Sequence, residues 1–186
     1  MVATSTGRRP GQVDRLTAAT VHRFADCLEV EQAHAPTARR WLEARGYRVR
    51  DATRHEQAAG VDVVCHRSDL RRPRCVDYKV DQASAHTGRL FVELVSNDRK
   101  RSPGWATLPD PPTGPGFVMW CTPLDGGALR VGVLRRSVLR SALAGWAERY
   151  PERRVRNPHY TTLGRAVPRR EVERLACVVG HAPAAR

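Results

Sequence analysis

The sequence predicts an α/β fold in which a mixed β-sheet is flanked by α-helices. Three observations predict it. Apolar residues recur at helical spacing toward both ends of the 186-residue chain, and the middle breaks into short extended runs separated by turn signals. One of those runs, residues 89–96 (Arg-Leu-Phe-Val-Glu-Leu-Val-Ser), is apolar on both faces, as a strand buried inside a sheet is. Helices, then strands, then helices around one core describe an α/β or α+β domain built on a mixed sheet.

Residues 1–12 are rich in Gly, Pro, Ser and Arg and are expected to form a disordered tail; residues 181–186 (His-Ala-Pro-Ala-Ala-Arg) are expected to form a second, shorter one. Residues 13–180 then make a single domain. A helix is expected over residues 14–31, with Leu16, Val21, Phe24 and Leu28 on one side. A second opens near Pro36, turns Ala38, Trp41 and Leu42 inward, and stops at Gly46. Residues 47–50 alternate as a strand does. Residues 60–66 and 73–80 read as two strands joined by Arg67-Ser68-Asp69-Leu70-Arg71-Arg72. Residues 89–96 form the central strand. Residues 102–116 hold five prolines and three glycines around Trp105 and make a long loop. Residues 117–122 and 128–134 pair about the turn Asp125-Gly126-Gly127. Ser137 can cap the strongest helix, along which Val138, Leu139, Ala142, Leu143, Trp146, Ala147 and Tyr150 recur at helical spacing before Pro151 ends it. Residues 153–164 are irregular or extended, and residues 169–178 form a last helix with Val172, Leu175 and Ala176 inward.

With 41% apolar and 27% charged residues, the composition excludes wholesale disorder. No apolar run approaches the ~20 residues of a membrane span, and no apolar stretch follows the basic N-terminus, so no secretory signal is expected. Five scattered cysteines with no Cys-x-x-Cys spacing point to reduced thiols and a cytoplasmic protein. The formal charge is +13, from 32 Lys+Arg against 19 Asp+Glu. Such an excess favours a polyanionic partner, although a basic surface also serves solubility. No cationic amphipathic stretch with a bulky apolar face supports a membrane partner. Of the 32 cations only Lys79 and Lys100 are lysine. A lysine kept at Val76-Asp77-Tyr78-Lys79-Val80 amid so much arginine suits chemistry that needs a compact ammonium whose pKa can move.

The hairpin can be treated as geometry. If residues 68–71 are its tip, facing residues have numbers that sum to about 139, so Asp62 opposes Asp77, and Lys79 shares Asp77's face. Opposed Cβ atoms lie about 4.5–5.5 Å apart. Two such carboxylates repel unless a cation sits between them, and oxygen ligands suit Mg²⁺ or Mn²⁺. The alternative is an edge hairpin with its polar face in water and its register slipped by one residue, which sends the acids to opposite faces.

Gly60-Val61-Asp62-Val63-Val64, followed by Asp77-Tyr78-Lys79 on the next strand, resembles the PD-(D/E)XK nucleases, the restriction-endonuclease-like superfamily. The resemblance spans residues 36–150: helix, strand, metal aspartate, strand with Asp-x-Lys, further strands, helix. Asp replaces the commoner Glu as second acid, and Val61 stands where a proline often precedes the first aspartate. The resemblance implies a restriction-endonuclease-like mixed sheet and Asp62 and Asp77 as metal ligands, with the Tyr78 carbonyl a further one. It gives Lys79 the task of orienting or activating a water and steadying phosphate charge. Many members carry a glutamate on the first core helix, where Glu43 is the nearest match with Glu31 behind it; a solvated helix face is the alternative for Glu43. Glu56 and Gln57 precede Gly60 and are further candidates for an additional acid or support. Glu93, alone in an apolar strand, either joins the acids as a catalytic group or pairs with an arginine.

Arg71-Arg72 and Arg99-Lys100-Arg101 fit a phosphate track, as do Arg135-Arg136, Arg153-Arg154 and Arg169-Arg170. Trp105 either stacks on an unpaired base or packs under its loop. Cys65, His66 and Cys75 match no zinc-knuckle spacing, and no serine-hydrolase, phosphate-loop or zinc-protease motif occurs. The function expected is a Mg²⁺- or Mn²⁺-dependent nuclease, a hydrolase of phosphodiester bonds that favours DNA over RNA. It would act as a homodimer or within a larger nucleoprotein complex. The alternatives are a non-catalytic nucleic-acid-binding protein or an assembly subunit that keeps the fold.

Overall fold

A computed structural model describes residues 24–184 of the chain. The expected N-terminal tail and the first part of the helix expected over residues 14–31 lie outside them. Helix α1 (Phe24–Glu43) runs through Pro36 as one element in place of two. Proline forfeits one main-chain hydrogen bond in a helix interior, and Ala38, Trp41 and Leu42, packed on the sheet just beyond it, offset that loss.

Strands β1 (Arg48–Asp51), β2 (Val63–His66) and β3 (Arg74–Val80) form an antiparallel meander, with the short helix α2 (Arg54–Ala58) between the first two. After α3 (Ala83–Thr87), β4 (Arg89–Asn97) and β5 (Ser102–Pro103), the chain returns to lay β6 (Gly116–Pro123) parallel to β3. Strand β7 (Leu129–Arg135) pairs antiparallel with β6 around glycines at positive φ, Gly126 and Gly127, as the turn signal predicts. Helix α4 (Arg136–Arg149), strands β8 (Glu152–Arg156) and β9 (Thr161–Pro168), helix α5 (Arg169–Glu173) and strand β10 (Val178–Ala182) complete the order. No helix among the described residues is long and apolar enough to cross a membrane.

The α/β class holds, with two sheets in place of one. The first is mixed and six-stranded, in the order β1-β2-β3-β6-β7-β10; the second is antiparallel and four-stranded, in the order β5-β4-β9-β8. The strand expected at the centre of the main sheet, β4, is central in the second sheet instead. The main sheet's central strand is β6, buried at every position from Gly116 to Thr122. Apolarity on both faces reports that a strand is covered twice, not which sheet it joins. Residues 153–164, expected to be irregular or extended, are largely extended and form most of the β8–β9 hairpin. The last helix is shorter than expected, and β10 extends the ordered fold to Ala182, where the main chain of His181 accepts a hydrogen bond from Trp41 Nε1 at 3.1 Å.

Three layers result. On one face of the main sheet, α1 packs Trp41 and Leu42 on Val63, Val76, Tyr78, Met119 and Val131. On the other, Leu139 and Trp146 of α4, with Leu90, Val92 and Val167 of the second sheet, cover Val118, Trp120 and Leu134. Each such large side chain contributes about 1.5–3 kcal/mol when fully buried. Because side chains alternate, the two faces divide β3: Val76 and Tyr78 go to the α1 side, Asp77 and Lys79 to the other.

Candidate active site

The β2–β3 hairpin has the register in which facing numbers sum to 139: Val63 with Val76, Val64 with Cys75, Cys65 with Arg74. The regular pairing stops at Val63: the Asp62 N–H donates to Val76 O at 2.9 Å, so Asp62 and Val63 both face Val76, and the ladder does not extend to the expected pairing of Asp62 with Asp77. Beyond that point β2 has ended, and carboxylates take over the edge of β3. Asp62 Oδ2 accepts from the Tyr78 N–H at 2.6 Å, and the Glu31 carboxylate accepts from the Val80 N–H. By parity the Tyr78 carbonyl faces the same edge, while its ring is buried on the α1 side.

Asp77 is only 3% exposed. Lys79 Nζ lies 2.7 Å from its Oδ1, and Arg136 Nη2 lies 3.5 Å from its Oδ2. Burial nevertheless pushes the Asp77 carboxyl up to about 7; Lys79 pulls it down, Asp62 adds to the rise and Arg136 opposes it. For Lys79 burial acts downward, but the carboxylates of Asp77, Glu31 and Asp62 together hold the ammonium above the ordinary lysine value. Glu31 approaches Lys79 Nζ to 3.8 Å, and burial raises its pKa against the pull of Lys79. Glu93 of β4 is also raised by burial, while Lys79 and the main-chain N–H of Trp105 stabilise its anion. Two layers of the fold therefore meet at Lys79: the hairpin and α1 supply Asp62, Asp77 and Glu31, and the second sheet supplies Glu93.

Sequence reasoning missed the role of Arg136. It is 1% exposed and reaches past Asp77 to the Gly60 carbonyl, to Ala59 O at 3.0 Å and to Pro109 O at 3.2 Å. One guanidinium thus ties the turn before Asp62 to the Pro-rich loop and to Asp77. Gly60 is needed at that turn, with φ +70° and a Cβ position 2.4 Å from Leu108. Arg135-Arg136 reads as a surface pair, and nothing in the local pattern separates the exposed residue from the buried one.

The remaining candidates fall elsewhere. Glu43 pairs with Arg39 at 3.1 Å near the far end of α1, and Glu31 takes the place it was expected to fill. Glu56 is buried but belongs to a capping box: it accepts from Thr53 N–H and binds Arg50 through both oxygens at 2.7 and 2.8 Å. These contacts hold its carboxyl far below the usual range, Arg50 being the main cause. Gln57 donates to Ala52 O at 3.3 Å. Trp105 is half-buried against the second core. Arg71, Arg72, Arg99, Lys100 and Arg101 are exposed. Cys65 and Cys75 lie on opposite faces of the hairpin, and burial pushes the Cys65 thiol up to about 12, as packing cysteines require.

Among the described residues no three His, Cys, Asp or Glu side chains converge as a closed metal centre. Comparison with protein-family models, with curated proteins and with solved structures finds no match to this chain.

Proposed function

We propose that the chain is a divalent-metal-dependent nuclease of the PD-(D/E)XK type, with a restriction-endonuclease-like core, acting on DNA. One observation carries the reading. Lys79 pairs with Asp77 at 2.7 Å and with Glu31 at 3.8 Å and interacts electrostatically with Asp62 and Glu93, and Arg136 is the second cation. With all four carboxylates ionised, four negative charges against two positive leave an excess of two, the charge of one Mg²⁺ or Mn²⁺; burial raises Asp77, Glu31 and Glu93, so without an ion protons offset part of that excess. The donors are all oxygen, which fits those hard ions. The topology agrees with the resemblance: a helix, an antiparallel meander carrying both aspartates, then a parallel strand and a helix.

Asp62 and Asp77 would hold the ion, with the Tyr78 carbonyl beside them. A bound divalent ion lowers the pKa of a water and offsets charge on a scissile phosphate. Lys79, held protonated at neutral pH by its carboxylates, donates hydrogen bonds to a phosphate oxygen or fixes a water in line with it. Glu31 and Glu93 hold the ammonium in place, and Arg136 keeps Asp77 aimed. Burial on the α4 side limits water at Asp77 itself.

The test is cleavage of supercoiled plasmid and of single strands with Mg²⁺, with Mn²⁺ and with a chelator. Cleavage that needs the ion and disappears in Asp62→Ala and in Asp77→Ala supports the nuclease. Undiminished cleavage by Asp77→Ala in chelator sinks it. A second reading has its own observation: Asp77 already holds Lys79 at 2.7 Å with Arg136 beside it. In that reading the triad is an internal ion pair and the protein binds nucleic acid without cutting it. Tight binding with no cleavage under any ion selects it.

A further inference from the structure

At the end of β3 away from Lys79, a cleft of about 490 Å³ opens between the β2–β3 turn and the Pro-rich loop. That is within the range of ligand sites, roughly 300–1,000 Å³. Arginine dominates its walls: Arg71 and Arg72 from the turn, Arg74 from β3 and Arg135 from the end of β7, around the ring of Phe117. Its acid, Asp110, is spent, accepting from the Gly116 N–H at 2.9 Å and facing Arg140 at 3.9 Å. Arg72 clips the two walls together by donating to Pro112 O at 2.8 Å.

The other three guanidinium groups are in no ion pair and donate no hydrogen bond among the described residues. The nearby Asp69 is engaged by Arg67 through both oxygens. Arg74 is stacked, 5.2 Å from the Phe117 ring centre and 5.6 Å from that of Tyr47. Stacking uses the face of a guanidinium and leaves its in-plane N–H groups for an acceptor. Three unspent planar donors around one concavity match the oxygens of a phosphate.

We propose that this cleft is a phosphate-binding site for a nucleotide, separate from the acidic cluster, with Arg71, Arg74 and Arg135 as its ligands. It rests on nucleic acid as the partner but not on cleavage. Arg135 lines the cleft while its neighbour Arg136 lies on Asp77, so a strand seated here is anchored one residue from the group that aims the metal aspartate. The phosphate is that of a strand, terminal or internal, or of a free mononucleotide.

The experiment measures binding in chelator, where no cleavage occurs. The probes are a short single strand with a 5′-phosphate, the same strand with a 5′-hydroxyl, dAMP and inorganic phosphate. The proteins are wild type, the double variant Arg71→Ala/Arg135→Ala, and Arg99→Ala/Arg101→Ala as a control on the β4–β5 turn, whose residues do not line the cleft. Arg71 and Arg135 are exposed and unpaired, so an unchanged unfolding temperature is expected for the first double variant. It should weaken at least one phosphate probe by about tenfold or more beyond the loss in the control, a difference of ~1.4 kcal/mol.

A loss confined to the 5′-phosphorylated strand identifies a terminal phosphate. An equal loss on both strands identifies an internal one, and a loss on dAMP alone a mononucleotide. If the double variant binds every probe as wild type does, or loses no more than the control, the cleft is not a phosphate site. A protein that cuts plasmid yet gives that result keeps the nuclease reading and loses this one; the reverse result does the opposite.

Discussion

Asp77 is where burial and charge are in sharpest conflict. Its carboxyl sits near 7 in the fold because of burial, whereas an unfolded chain holds aspartate near ~3.9. Between those values the folded state binds the extra proton, so stability falls as pH rises from about 4 through about 7. In metal-free protein, Asp77→Asn abolishes that component. The unfolding temperature of the variant should therefore gain on wild type between pH 5 and pH 8, read by thermal melts in chelator. A difference that stays constant or shrinks with pH places the ionised carboxylate at no cost and contradicts the shift. Lys79 was legible in the sequence because arginine bias makes a lysine conspicuous. Glu31 was obscured by Pro36: only a helix continuous through the proline carries it to Lys79. Arg136 was not legible at all, because burial of a charge depends on what folds over it.

Helix α2 shows an element fixed by a single side chain. Five residues are far too few to hold a helix by propensity, and Glu56 supplies the missing stabilisation through the cap, Arg50 and Thr113 Oγ1. Glu56→Ala should cost about 2 kcal/mol, the loss of a cap and of charge-assisted hydrogen bonds. The Glu56 pKa is depressed in the fold, mainly by Arg50, so its contribution is full above the unfolded value of ~4.3 and fades as pH falls through the folded one. Urea titrations of wild type and variant at pH 7 and pH 3 should show a gap that narrows in acid; an equal gap at both removes the ionic part. The β2–β3 register was readable because a period of two and one turn fix it. The second sheet was not, because β4 finds β9 some seventy residues later and no local pattern encodes such a pairing. The C-terminal strand was hidden for the same reason: β10 pairs with β7, not with its neighbours.

On the scale of the whole molecule, 13 excess positive charges must coexist with an acidic centre. The described cations are spread over separate features: the cleft at Arg71 and Arg135, the β4–β5 turn at Arg99, Lys100 and Arg101, and the exposed strand β8 with Arg153, Arg154 and Arg156. A strand laid across such a surface would be held by its phosphates and carried toward the carboxylates, which repel it until a cation enters. Phosphate contacts release counterions, so affinity should fall by orders of magnitude between 50 and 200 mM salt if roughly 6–10 phosphates are engaged. Asp77→Ala is the protein to titrate, since by the proposed mechanism it cannot consume its ligand. Measured against duplex and single strands over a salt series, Arg99→Ala/Arg101→Ala should weaken binding about equally for all sequences and flatten the log–log slope by about two, one for each phosphate no longer neutralised. An unchanged slope with reduced affinity assigns the turn an interaction other than with phosphate. Absence of binding at low salt shows that the basic surface meets a different partner, and the assembly-subunit alternative then accounts for the charge.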